Sequence, residues 1–372
     1  MIFKSPKKIV FGLCLIFLMI AALETGLRVA NWSLKWFQLK DIVDERSHLQ
    51  PYKDKEWTKV YFDELVEALD PPEMRSSEEF HGKYVNMDAH GYRKTWNPER
   101  SGQKTPKTIY VFGGSTIWGD GARDNYTIPS YLSKKLLSEG YNFVVHNYGK
   151  TSFATRHELD LLMRLLKDGH KPDYVVFYDG FNDVLNAYQM ESFNVNSSPP
   201  VVKTSQWASF KNLVQENSMV YTVITSALAS FDSEGIMATY PSSRYSDEQL
   251  GAFAKLFVEY YGNFVESLDH LSHEFGFQYL LFWQPVIFTE TGLVAEEKEI
   301  IDQSFNNKAF GKFYRAVHAV LQKNPPRHFF NLSDILQERK EMVYTDWCHL
   351  SEEGNEIVAR RIVKIFRKEF LK

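Results

Sequence analysis

From residue 106 onward the chain alternates short apolar runs with amphipathic segments, and the runs end at glycines or polar turns. The runs are Thr108 to Phe112, Phe143 to Asn147, Tyr174 to Tyr178, Gln278 to Trp283 and His328 to Asn331. They have the length of strands and the continuous apolarity of strands buried on both faces. The segments between them carry helix signals. Ile128 to Glu139 has Pro129 in its first turn and Gly140 as a stop. Arg156 to Lys167 places Leu159, Leu162, Met163 and Leu166 at helical spacing before Gly169. Ser246-x-x-Gln249 is a capping box that opens a helix carrying Phe253, Leu256, Phe257, Tyr260, Phe264 and Leu268. Phe310 to Leu321 and Ser351 to Lys368 complete the set. Five strands alternating with helices predict an α/β fold, a three-layer α/β/α sandwich on a five-stranded parallel sheet. Ligands in such sheets bind beyond the carboxyl ends of the strands, so those loops are where chemistry is expected.

The rest of the 372 residues reads as additions to that domain. Lys4, Lys7 and Lys8 precede an apolar run from Ile9 to Leu23, after which Glu24 and Arg28 break the pattern. This predicts an uncleaved membrane anchor over residues 1–30, with a cleaved signal peptide and secretion as the alternative. Either places the remaining chain on the non-cytoplasmic side. Residues 31–105 read as a juxtamembrane lead-in with one short helix near Glu64 to Leu69, ended by Pro71 and Pro72. The α/β domain is expected over 106–372. Residues 185–245, rich in Ser, Asn and Pro, read as an insertion with a helical stretch around Phe210 to Leu228. Lys plus Arg is 43 and Asp plus Glu is 47, a balance that disfavours a nucleic-acid partner. The two cysteines, Cys14 and Cys348, make neither a disulfide framework nor a four-cysteine zinc site.

Three strand ends carry reactive groups. The first reads Gly113-Gly114-Ser115-Thr116-Ile117-Trp118-Gly119. A serine at a strand-to-helix turn offers its hydroxyl as nucleophile and its N–H as an oxyanion donor. It is not a phosphate loop, because no lysine follows Gly119, and Ile117 breaks a Gly-x-Ser-x-Gly elbow. The third strand ends in Asp179-Gly180-Phe181-Asn182-Asp183, where an amide side chain can donate to an oxyanion. The last loop reads Thr345-Asp346-Trp347-Cys348-His349-Leu350-Ser351. There a carboxylate three residues before a histidine can fix its tautomer and stabilise its cation.

Together these blocks resemble the SGNH (GDSL-type) hydrolase family, in its flavodoxin-like fold. Gly113-Gly114-Ser115-Thr116-x-x-Gly119 matches block one, Asn147 to Ser152 block two, Gly180-Phe181-Asn182-Asp183 block three, and Asp346-x-x-His349 block five. The lead-in segment Asn86 to Arg93 resembles one in membrane-anchored relatives. The resemblance implies Ser115 as nucleophile, His349 as base and then acid, and Asp346 as its orienter. It implies an oxyanion site made by the N–H of Ser115, the N–H of Ser152 or of Gly149, and the amide of Asn182. The family's block-one aspartate is Gly114 here. Asp183 reads as structural. Trp118, Phe153, Phe181, Gln284, Trp347 and Gly149 are expected substrate contacts.

The implied activity is an exported serine esterase acting on a small acyl ester or an acylated glycan, with no cofactor. An O-acetyltransferase of envelope polysaccharide and a non-catalytic carbohydrate-binding protein are the alternatives. His270-x-x-His273 offers two metal ligands without a third, so no metal is expected. The sequence carries no signal for an oligomeric state.

Overall fold

The computed structural model describes residues 44–69, 79–99, 105–189, 245–302, 305–337 and 339–371, and residues 11, 12, 15, 18, 19 and 21–29 near the N-terminus. The chain divides into two units, 1–42 with 194–240, and 43–193 with 241–372. In the first, residues 21–29 are helical. Among the described residues no helix is long and apolar enough to cross a membrane. The helical stretch expected around Phe210 to Leu228 lies outside the described residues.

The second unit is built on seven strands and nine helices among the described residues. The lead-in supplies α1 (Thr58–Leu69) and the pair β1 (Phe80–His81) and β2 (Asn86–Met87). Then come β3 (Lys107–Gly113), α2 (Ser115–Trp118), α3 (Ile128–Ser138), β4 (Phe143–Asn147), α4 (Thr155–Lys167), β5 (Tyr174–Asp179) and α5 (Phe181–Gln189). Further along the chain follow α6 (Asp247–Phe275), β6 (Gln278–Trp283), α7 (Ala295–Asp302), α8 (Phe305–Lys323), β7 (Phe329–Asn331) and α9 (Glu352–Phe370).

The main sheet is parallel throughout, in the order β4-β3-β5-β6-β7. Helices α3 and α9 pack together on one face, and α4, α6 and α8 on the other. Burial on both faces explains the unbroken apolar runs: every residue of β5 is buried. The capping box at Ser246 forms as the sequence predicts, with Ser246 Oγ accepting from Gln249 N–H and Gln249 Oε1 from Ser246 N–H. Chain order reverses direction between β3 and β5. Such a switch point opens a crevice at the strand ends, and Ser115 and Asn182 stand at the two lips of it.

The lead-in is more structured than its weak pattern suggests. The helix starts at Thr58 rather than near Glu64. Tyr52, Tyr61, Phe62, Leu65, Val85 and Met87 form a second apolar cluster, closed by Trp118 of α2. Its rings meet edge to face, so it needs no regular helical spacing to bury them. The helix α5 runs to Gln189, into the first residues of the expected insertion.

Candidate active site

The site is assembled from three strand ends and one loop. Gly114, extended at φ −79° and ψ −154°, leads β3 into the single turn of α2, which Ser115 opens. A first helical residue has an N–H with no partner inside the helix. Gly114 also answers why the block-one aspartate is absent. A Cβ there would lie 2.3 Å from Asn182 Nδ2, so glycine lets the two blocks approach.

The His349 loop is braced at its base. Thr345 N–H donates to His349 O at 3.0 Å and Ser351 N–H to Val343 O at 2.7 Å. Within it, Asp346 Oδ1 accepts from the N–H groups of Cys348 (2.9 Å) and His349 (2.8 Å). Its Oδ2 lies 2.5 Å from His349 Nδ1, and His349 Nε2 lies 2.6 Å from Ser115 Oγ. The structure therefore places Ser115, His349 and Asp346 in one hydrogen-bonded line.

Burial disfavours charge on both ends of that line, yet the pair overrides it. Burial raises the Asp346 carboxyl, but the His349 imidazole, Arg46 and the Cys348 N–H hold it well below the ordinary carboxylate range. Burial lowers His349, but Asp346, then Cys348 and Asp120, hold it well above the ordinary histidine value. Cys348 lies beside them with its Sγ 3.9 Å from Nδ1, and burial pushes its thiol up, which keeps it a thiol.

A pocket of about 360 Å³ holds Ser115, Ser152, Asn182 and His349, with Asp120, Thr151, Phe181 and Leu69 in its walls. Asn182 gives one amide hydrogen to Phe153 O at 2.7 Å, which leaves the other for a ligand. Asp183 points the other way. It accepts from Thr155 N–H and Oγ1 and from Gly180 N–H, tying block three to the start of α4. Beneath it, burial and then the neighbouring acids raise Glu158 and Asp179, and Asp179 accepts from the Tyr261 hydroxyl. A larger cleft of about 600 Å³ shares Thr151 and Ser152 with the pocket and runs past Phe153, His157, Phe257 and Tyr260.

Ser152 and Gly149 separate cleanly. Gly149 N–H is spent on Asn147 Oδ1 at 2.9 Å, and a Cβ there would lie 2.4 Å from Trp118 N. Gly149 is a packing glycine and lines neither the pocket nor the cleft. Ser152 lines the pocket with a left-handed backbone, φ 62°, a conformation that favours glycine and costs a serine about 1 kcal/mol.

Two further expected contacts are corrected. Trp118 is fully buried, because the turn of α2 rotates it inward, where Arg93 stacks on it at 4.6 Å. Gln284 is 4% exposed and outside the pocket walls, in a buried segment that hydrogen-bonds under Trp347 through Ile287. Phe181 lines the pocket, Phe153 the cleft, and Trp347 stands exposed 6.3 Å from the Phe181 ring. His270 and His273 are exposed on α6, remote in sequence from the blocks.

Several residues around the site went unread in the sequence. Arg93 is fully buried; it pairs with Asp124 at 2.5 Å and donates to Ala122 O, clamping the loop after α2. This gives the Asn86 to Arg93 motif a job. Tyr61 and Tyr52 hold Gly121, one accepting from its N–H and the other donating to its carbonyl, both at 2.8 Å. Asp120, one residue past the block-one glycine, faces His349, and Arg46 holds Asp120. The position of Asp120 was a usable signal; nothing in the sequence around Arg46 was.

Sheet order and strand-end blocks bring a serine, a histidine and a carboxylate into line at the edge of a parallel α/β sheet, and the family match makes the chain a carboxylic ester hydrolase. The chain belongs to the GDSL-like Lipase/Acylhydrolase family, whose model matches residues 109–362. Among solved structures it is similar to the acetyl xylan esterase AlAXEase, at 13% identity over 69% of this chain and 98% of that one, TM-score 0.36. It is similar to TesA, at 15% identity over 70% and 99%, TM-score 0.34. It is also similar to Axe2, an acetylxylan esterase from Geobacillus stearothermophilus, at 16% identity over 69% and 93%, TM-score 0.33. No curated protein matches the chain.

Proposed function

We propose that this ester hydrolase works through an acyl-enzyme on Ser115 and removes a small acyl group from a carbohydrate outside the cytoplasm. The observation that carries the mechanism is the line Ser115 Oγ, His349 Nε2, His349 Nδ1, Asp346 Oδ2, with links of 2.6 and 2.5 Å. Ser115 Oγ attacks the carbonyl carbon while its proton passes to Nε2. The oxyanion is received by the N–H groups of Ser115 and Ser152 and the free amide hydrogen of Asn182. His349 returns the proton to the departing alkoxide. Water then repeats the sequence, releasing the acid and restoring Ser115. Asp346 keeps the proton of His349 on Nδ1 and balances the imidazolium.

The carbohydrate assignment rests on the shape of the site. The pocket at Ser115 is small, which suits a small acyl group, and Phe153, Phe257 and Tyr260 in the wider, mostly apolar cleft beside Ser152 offer rings on which a sugar face can stack. Phe181 and Trp347 at the rim are further contacts for it. Anchoring is supported by the three lysines before the apolar run, and by Phe11, Leu15, Leu18, Met19, Leu23 and Val29, large apolar side chains left exposed near the N-terminus.

Acetylated xylooligosaccharide tests the reading. Wild type is expected to release acetate and Ser115→Ala to release none above background. Cleavage of long-chain esters with no acetate from any acetylated glycan would overturn the substrate class. Acetyl found on an added glycan acceptor instead of in free acetate would assign a transferase.

A further inference from the structure

His349 faces two carboxylates. Asp346 meets Nδ1 at 2.5 Å, and Asp120 Oδ2 lies 3.8 Å from Nε2, the nitrogen that serves Ser115. Asp120 is firmly built in. Its N–H donates to Ser115 O at 3.0 Å, and its Oδ1 accepts from Arg46 Nη1 at 2.8 Å, with both side chains under one-fifth exposed. Arg46 comes from the lead-in, 74 residues earlier, and is itself gripped by Asp44 through Nε (3.0 Å) and Nη2 (2.8 Å) and seated on the Phe62 ring. The segment that precedes the catalytic fold thus reaches the catalytic imidazole through one carboxylate.

We propose that Asp120 is a positioning residue for His349, and that Arg46 sets how much of the Asp120 charge the imidazole feels. This rests on His349 serving as the base for Ser115. As Oγ bonds to the carbonyl carbon, its proton moves to Nε2 and a positive charge appears 3.8 Å from Asp120. Asp120 takes no proton; its charge attracts the imidazolium and keeps the Nε2 edge turned into the pocket. The same attraction acts in the free enzyme, where it favours the inactive, protonated base. Arg46 works against it, because it neutralises part of that carboxylate. Among the described residues, the charged and titratable groups facing His349 are Asp346 and Cys348 on its own loop, Asp120 beyond α2, and Arg46 from the lead-in through both carboxylates. The raised affinity of His349 for its proton agrees in direction, with Asp346 and Cys348 ahead of Asp120 among its causes.

The sign is fixed by this arrangement. The acidic limb of kcat/KM follows protonation of His349. Asp120→Asn keeps the shape and removes the charge, so the limb is expected to move to lower pH by on the order of one unit. Arg46→Gln leaves Asp120 unneutralised, so the limb is expected to move to higher pH. A purely structural pair would lower rates without moving the limbs in opposite directions. The measurement is the pH profile of 4-nitrophenyl acetate hydrolysis by the full chain, beside an NMR titration of the His349 ring that needs no turnover. A limb for Asp120→Asn that overlays wild type, or limbs that move the same way in both variants, would overturn the proposal. Should Asp120→Asn not accumulate folded, the direction of the Arg46→Gln limb decides alone. Ser115→Ala in the same assay separates the two readings. Activity in that variant would sink the nucleophile assignment, whereas an inactive Ser115→Ala with an unmoved Asp120→Asn limb sinks this proposal only.

Discussion

Ser115→Ala is expected to lower kcat on a short-chain aryl ester by about ten-thousand-fold or more, and His349→Ala by a similar factor. The reason lies in their contact. With Nε2 2.6 Å from Oγ, the imidazole is placed to take the serine proton directly, and Ser115 Oγ is the nucleophile it serves. Two groups that act as one unit do not add. The double variant is therefore expected to be no worse than either single variant, by less than about threefold. Multiplicative losses would mean that the two residues act separately. Stability should change little in Ser115→Ala, because the side chain is only partly buried and packs no core. Melting temperatures matched to wild type would confirm that the loss is chemical.

The second large effect is at Asn182. Its amide stands 2.7 Å from Phe153 O with one hydrogen left over, in the wall of the pocket that holds Ser115. Asn182→Ala is expected to lower kcat by about 100- to 1000-fold with KM changed by less than about threefold, the pattern of a donor used only in the transition state. Ser152→Gly is the contrast. It keeps the N–H and relieves a left-handed φ of 62°, so its kcat should stay within about threefold of wild type. If KM rather than kcat carries the Asn182→Ala defect, the amide binds the ground state and is not an oxyanion donor.

Much of the catalytic domain was legible because buried parallel strands write themselves as unbroken apolar runs. Tyr174 to Tyr178 needed no partner to be recognised, and its buried neighbours on both faces explain why. The Ser115 and Asn182 loops were legible because each ends such a run with a glycine and a polar side chain at the sheet edge, and the His349 loop because an Asp-x-x-His pair stands just ahead of a helix cap. Other features depend on backbone angles or distant contacts. The choice between Gly149 and Ser152 turns on a φ value and on where the Gly149 N–H goes. Trp118 reads as a stacking surface beside the nucleophile, yet one helical turn sends it into the core. Gly114 reads as a lost aspartate until the Asn182 amide is seen against it. The link from Arg46 to Asp120 joins segments 74 residues apart, with no local pattern at either end to announce it. The expected membrane anchor falls partly on residues outside the described ones, and the insertion largely so.

The account stands on Ser115 as the nucleophile, and covalent trapping reads that without reference to substrate. A 4-nitrophenyl alkylphosphonate incubated with the full chain should add one phosphonyl group by intact mass and release one equivalent of nitrophenol. Peptide mapping should place the adduct on Ser115, and His349→Ala should form it far more slowly. No adduct, or an adduct on another residue with Ser115 unmodified, would contradict the account.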